Sequence, residues 1–397
     1  MSRILLTWEL GRALGHLVSL RPLVESFLRR GNQVFLAARS LAQVRHVFKD
    51  SRVTLLQAPW NNRQPQLIKP VMTYADLLLN IGYSDEEALA AHVEAWQTLY
   101  RLIAPDLLVC DHSPTALFAA RCHRFPVATA GSGFYCPPDE SPLRLMRDVP
   151  PEVRTPALQH ELHLLDVLNR SLSHRGLPHL SRVTQLYHDG QTKHFLMTLS
   201  ELDHFGARGD VKYWGMWPFG VAGEAFRPPG RPCVFAYLKS FPTITKVLDD
   251  LRSAPFYTVA YVDAFSESDR ARFQSEKLRI SDRLINFREA AENCDVALTN
   301  ATHATCVAML LCGKPMVHIP HFLEQFLLAE ATERAGTGLI ARGDDPLFTR
   351  RAIEEVLADP RYRRAAAENA RRYHGHRFDL VADAVVDEME QLMKSRP

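Results

Sequence analysis

Short apolar runs alternate along this chain with stretches whose apolar positions recur every three or four residues. The first pattern is that of buried parallel strands, and the second that of helices packed on them. Residues 3–8 make the first run. Leu17, Leu20, Leu23, Val24, Phe27 and Leu28 then fall at helix spacing, and Gly31 stops that helix. Further strands are expected at 33–37, 53–57, 107–110, 126–130 and 195–198. Between them, Ser40 caps a helix to about 49, Ser84 and Glu87 form a capping box for a helix ending near 102, Ser113 and Pro114 open another, and 156–174 is helical. Residues 59–83 lose the pattern to prolines, asparagines and aromatics and are expected as a long functional loop.

Residues 202–232 show no sustained period and hold six glycines and four prolines, which marks an interdomain linker. The alternation then starts again. Strands are expected at 233–237, 257–262, 283–286, 295–298 and 316–319, with helices at 243–251, 266–274 and 303–312 and from 324 onward. After 347 the chain is helical to its end, with a break at Tyr373-His374-Gly375. The fold class is α/β. Residues 1–201 form one parallel-sheet domain and 233–397 a second.

At 397 residues with 46% apolar content, the chain can bury two cores. A net charge of +2 forces no polyanionic partner, and no nucleic-acid module is visible. The seven cysteines include no Cys-x-x-Cys, and several lie inside apolar runs, which fits a reduced compartment. No stretch reaches the roughly 20 apolar residues of a membrane span. The apolar start at 4–7 is too short for a signal peptide, so the cytoplasm is the expected location. Gly11 and Gly15 do not make the dinucleotide fingerprint, and Arg39 stands where an acidic ribose ligand would be. A nicotinamide or flavin site is therefore not expected. The 17 histidines show no His-x-x-x-His or His/Cys spacing of zinc type, and Cys110 falls inside a buried strand.

The stretch 294–339 carries the most chemistry. It reads strand, polar turn, helix, Gly313 stop, strand, which is half of a nucleotide-binding sheet. The turn puts the free N–H groups of a helix N-terminus at the carboxyl end of a strand, a place that favours phosphate.

These residues resemble the donor-sugar motif of the UDP-glycosyltransferases of the GT-B fold. The counterparts are Asn300-Ala301-Thr302, Thr305, Gly313-Lys314-Pro315 and Glu324-Gln325. The chain departs from the family's Ser/Thr-His-Gly-Gly turn, since Asn300 replaces the histidine and neither glycine is present. The resemblance implies a GT-B architecture: two facing Rossmann-like parallel-sheet domains with an interdomain cleft, and a last helix that crosses back to the first domain. It implies an inverting, metal-independent transfer of a hexose from a UDP-sugar, a co-substrate rather than a cofactor, to a hydroxyl of a small-molecule or lipid acceptor. No Asp-x-Asp pair is present to hold a metal diphosphate.

Site residues follow from the same resemblance. Gly15-His16, with Pro22 six residues on, matches the family's first motif and makes His16 the general base. Asp111, ending the strand at 107–110, would orient it, with Asp106 and His112 as alternatives. Donor contacts would come from Asn300, Thr302, His303 and Thr305 to the diphosphate. Glu324 and Gln325 would take the sugar, and Phe287 and Arg288 the base. Acceptor contacts are expected from Trp60, Trp96, Phe134, Tyr135 and Met146. Two other functions stay open: a non-catalytic nucleotide-sugar or glycan binder, and a sugar-nucleotide epimerase or hydrolase. Peripheral membrane contact through apolar loops is a further open point.

Overall fold

The computed structural model describes residues 1–11, 14–48, 52–59, 68–147, 150–206, 208–217, 223–341 and 346–395. The chain divides into two compact units. The first comprises Met1–Thr198, Arg208–Gly215 and Leu380–Pro397, and the second Leu199–Ala207 and Met216–Asp379. Part of the segment expected as linker is thus integral to the first unit. There Trp214 donates its backbone N–H to the Leu196 carbonyl at 2.9 Å.

The first unit is built on β1 (Arg3–Trp8), β2 (Gln33–Ala38), β3 (Val53–Gln57), β4 (Leu107–Asp111), β5 (Val127–Gly131) and β6 (Lys193–Leu196). They form one parallel sheet in the order β3-β2-β1-β4-β5-β6. Its helices are α1 (Gly15–Arg29), α2 (Leu41–Val47), α3 (Tyr74–Leu78), α4 (Glu86–Ile103), α5 (Pro114–Ala120) and α6 (Pro151–Ser173). Strands buried on both faces need continuous apolar sequence, and Ile4, Leu5, Leu6, Leu107, Leu108 and Val109 are fully buried. Each such side chain contributes about 1.5–3 kcal/mol.

The second unit repeats the plan. Its sheet holds β7 (Cys233–Leu238), β8 (Tyr257–Val262), β9 (Leu278–Ile280), β10 (Val296–Thr299), β11 (Met316–His318) and β12 (Gly338–Ile340), in the parallel order β12-β11-β10-β7-β8-β9. Around it lie α7 (Ile244–Leu251), α8 (Glu267–Phe273), α9 (Phe287–Asn293), α10 (His303–Leu311), α11 (Leu323–Arg334), α12 (Pro346–Ala358) and α13 (Pro360–Arg372). A last helix, α14 (Val381–Lys394), packs in the first unit. Val385, Val386 and Met389 are buried, and Ser26 and Arg29 of α1 bond Asp383. The apolar face does most of the anchoring, because exposed ion pairs contribute about 0–1 kcal/mol.

Four expectations change. The stretch 68–83 is core rather than a functional loop. Met72, Tyr74, Leu78, Leu79 and Tyr83 are buried, and the buried Asp76 carboxylate accepts from Met72 N, Thr73 N and His160. The cap of α4 is Asp85, which accepts from Ala88 N at 2.9 Å, not Ser84. The strand expected at 283–286 is β9 instead. Leu278 and Ile280 bury alternately beside β8, whereas Leu284 is half exposed and Ile285 makes only an isolated bridge to Glu224. Finally, β6 begins two residues earlier than 195, because His194 pairs with Thr129 of β5. Among the described residues, no helix is long and apolar enough to cross a membrane.

Candidate active site

In an open parallel sheet, the loops after two neighbouring strands diverge where the strand order reverses, and ligands sit at that switch point. In the first unit this point lies between β1 and β4. His16 enters from the loop after β1, in the first turn of α1, and Asp111 is the last residue of β4. The two side chains meet: His16 Nδ1 lies 3.1 Å from Asp111 Oδ2, and both are buried. Burial raises the Asp111 pKa, and the adjacent His16 pulls it back. A carboxylate at this distance favours the tautomer with hydrogen on Nδ1, which leaves the Nε2 lone pair as the base.

The surroundings hold that ring in place. His16 stacks on Trp8 at 5.5 Å between centroids, and the Tyr135 hydroxyl lies 3.4 Å from Nε2. Gly11 adopts φ +88°, and a Cβ there would sit 2.3 Å from His16 Nε2. Only glycine fits both the backbone and the space. The Gly11 carbonyl is fixed by Arg39 Nη1 at 3.1 Å. On the other side, a Cβ on Gly131 would meet Asp111 Oδ1 at 3.0 Å.

Two buried groups beside the pair were not singled out as leading candidates. His112 has a left-handed φ of +44°, stacks on Tyr135 at 4.2 Å, and has no hydrogen-bond partner on either ring nitrogen. Burial drives its pKa well down, so it is neutral and does not replace Asp111 as the partner of His16. Glu9 accepts the backbone N–H groups of Thr115 and Ala116 at 2.9 and 3.3 Å, at the start of α5. Burial raises its pKa to about 7, against the lowering effect of those bonds.

The expected acceptor residues divide. Tyr135 faces His16, and Phe134 is buried at 6.1 Å from the His112 ring. Trp96, fully buried in α4, and Met146, whose N–H bonds Met72 O, belong to the core instead. The hydrophobic drive that makes such residues good ligand walls has already packed them. Trp60 lies outside the described residues.

In the second unit the switch point lies between β10 and β7. Here Asn300 is bonded to the backbone on both sides of its strand. Its Oδ1 accepts from Lys239 N at 2.7 Å, and its Nδ2 donates to Ile319 O at 2.9 Å. It braces the ends of three strands with its own hydrogen-bonding capacity. Ala301 follows in the left-handed region at φ +53°, where a non-glycine residue is strained. Thr302 is the N-cap residue of α10, and its hydroxyl lies 2.8 Å from that of the buried Thr305. The first intrahelical bond is Cys306 N to Thr302 O, so α10 begins at the carboxyl end of β10. His303 stacks near His204 at 6.1 Å, and burial lowers its pKa to about 4. That direction favours the neutral ring at neutral pH before any anion binds.

Glu324 lies in the first turn of α11, while the Gln325 Oε1 accepts from His321 N at 2.8 Å. Phe287 packs edge-on against Phe235 and Tyr237, at 5.2 and 5.0 Å, and Arg288 is exposed beside it.

No family model matches the sequence. A PGL/p-HBAD biosynthesis glycosyltransferase of Mycobacterium tuberculosis is 24% identical over 370 residues, covering 85% of this chain and 84% of the relative. Solved structures align over nearly the whole chain. The calicheamicin glycosyltransferase CalG4 superposes with a TM-score of 0.70 at 18% identity, covering 99% of this chain and 98% of its own. The glycosyltransferase VinC, solved with dTDP, gives 0.66 at 16%, covering 99% and 100%. The chain has the GT-B glycosyltransferase fold.

Within that GT-B frame, one cluster had no sequence signal at all. Cys136, His188 and His194 place a ligand atom each within 4.8 Å of one another, in the first unit. Their spacing in the sequence matches no metal motif; the pairing of β5 with β6 sets His194, and the loops outside those strands bring Cys136 and His188 to it.

Proposed function

We propose that this protein is an inverting glycosyltransferase that moves a hexose from a nucleoside-diphosphate sugar to a hydroxyl of a small-molecule or lipid acceptor. The observation that carries the reading is the buried His16–Asp111 pair at 3.1 Å, with Nε2 turned to the Tyr135 hydroxyl. An acceptor hydroxyl placed near Nε2 loses its proton to that nitrogen as its oxygen attacks the anomeric carbon. The bond from that carbon to the diphosphate oxygen breaks with inversion, and Asp111 stabilises the imidazolium.

The second unit takes the donor. The amides at the start of α10 and the Thr302 and Thr305 hydroxyls meet the diphosphate, and the helix dipole stabilises the departing anion without a metal ion on it. With Asn300 engaged by backbone, these amides and hydroxyls make the contact. Glu324 and Gln325 take sugar hydroxyls, and Phe287 and Arg288 the nucleobase. UDP is the donor nucleotide implied by the sequence resemblance. The dTDP in VinC makes thymidine the comparator.

Calorimetric titration with UDP, dTDP, GDP and NAD tests the donor assignment. Selective binding of UDP or dTDP is expected, followed by acceptor-dependent release of that nucleotide from its sugar. Release without an acceptor would instead show a hydrolase or epimerase, and binding with no release under any acceptor a non-catalytic binder. A side-chain test accompanies it. Glu324→Ala should raise the KM for the sugar nucleotide about tenfold, the loss of one or two hydrogen bonds, with UDP affinity unchanged. Equal weakening of UDP would remove Glu324 from the sugar contact.

A further inference from the structure

We infer that Cys136, His188 and His194 form a zinc site that ties down the loop carrying Tyr135. The inference does not depend on the proposed transfer reaction. Cys136 is buried and the two histidines are half-buried, so a metal ion can reach a site that still excludes bulk water. The Cys136 Sγ lies 3.5 Å from His194 Nδ1. A tetrahedral ion with Zn–S of about 2.3 Å and Zn–N of about 2.0–2.1 Å separates its sulfur and nitrogen ligands by about 3.5–3.6 Å. The pair is therefore already spaced as one edge of the tetrahedron.

The histidines are set up for the role. His188 Nε2 lies 2.8 Å from the Pro137 carbonyl. A carbonyl only accepts, so Nε2 carries the hydrogen and Nδ1 keeps its lone pair. Metal-bound imidazoles are commonly fixed this way. His194 is set by strand pairing, opposite Thr129, whose hydroxyl lies 2.8 Å from Nδ1. On binding, the thiol proton leaves to solvent, the ion takes the Sγ and the two nitrogens, and the Thr129 hydroxyl turns to donate to the thiolate. Both histidines are half-buried, so a solvent water can complete the tetrahedron as the fourth ligand. Two nearby charges oppose each other: Asp189 and Arg208 both act on His194, and the Arg208 guanidinium bonds the Cys136 carbonyl.

The ion would join three segments of the first unit, two of which are already tied by the Arg182–Asp139 ion pair. These are the loop after the 3-10 turn Gly133–Tyr135, the residue following Tyr187, and edge strand β6. Tyr135 precedes Cys136, so the site would fix the hydroxyl that faces His16 Nε2.

The test uses the full chain, stripped with a chelator and titrated with Co²⁺. One Co²⁺ per chain is expected, with the intense visible bands of tetrahedral cobalt and a near-ultraviolet thiolate charge-transfer band, both bleached by Zn²⁺. Cys136→Ser should abolish the charge-transfer band, and His188→Gln should weaken Co²⁺ binding by about 100-fold or more. Zn²⁺ at about a hundred times its Kd should raise the Tm of the unaltered chain by roughly 5–10 °C. It should leave that of Cys136→Ser unchanged. Thiolate bands that persist in Cys136→Ser would assign the metal to the exposed Cys122 or Cys312 and overturn the proposal, as would the absence of binding. If Cys136→Ser unfolds, His188→Gln decides alone, because its half-exposed ring leaves the core intact.

Discussion

Replacing His16 by alanine is expected to lower kcat by about two to four orders of magnitude, the usual worth of a general base. Nucleotide affinity should not change, because the proposed donor contacts all lie in the second unit. The substitution removes a lone pair held at the β1–β4 switch point by a buried carboxylate. Asp111→Asn is the companion. It keeps the volume, but an amide in place of the carboxylate no longer stabilises the imidazolium, and it can select the wrong tautomer. Its kcat should fall with little change in KM for the donor. Steady-state kinetics with a matched nucleotide titration separates the outcomes. Full turnover in His16→Ala would remove the base mechanism. Lost nucleotide binding in the same variant would mean that the change acts on the fold rather than on proton transfer.

The architecture was legible because parallel strands must be apolar on both faces. That demand shows up as runs such as 3–8, 107–110 and 233–237, and the helix stops at Gly31 and Gly313 punctuate them. What failed was whatever depends on partners far along the chain. Three-residue β9 is too short for a period to show, and its place beside β8 is decided by burial of Leu278 and Ile280. At α4, Ser84 and Asp85 are both good caps, and one residue of register chose between them. The motif pointed to the turn at 300–305, but not to how its side chains are bonded. The bonds of Asn300 to Lys239 N and Ile319 O were out of view in the sequence. The same holds for Trp96, whose chemistry suits a ligand wall or a core equally well, and for Cys136, whose histidines lie 52 and 58 residues away.

Glu9 shows how much such hidden placement weighs in stability. It ends the first apolar run, and in the fold its carboxyl is buried at the N-terminus of α5, directly after the segment that carries Asp111 and His112. Burial raises its pKa from 4.5 to about 7 in the folded chain. Between those two values the folded state keeps a proton that the unfolded state has released. The stability this group contributes is therefore complete below pH 4.5 and is lost as the pH rises through 7. The shift corresponds to about 3 kcal/mol. Glu9→Gln cannot ionise, yet its Oε1 can still accept from Thr115 and Ala116 N–H. Urea unfolding should find the variant equal to the parent near pH 4.5 and more stable by about 3 kcal/mol at pH 8. The difference between the two proteins cancels the titration of the buried histidines, which both share. A variant less stable than its parent at pH 8 would show that the two amides hold Glu9 ionised. In that case the charged carboxylate, and not its protonated form, secures the start of α5.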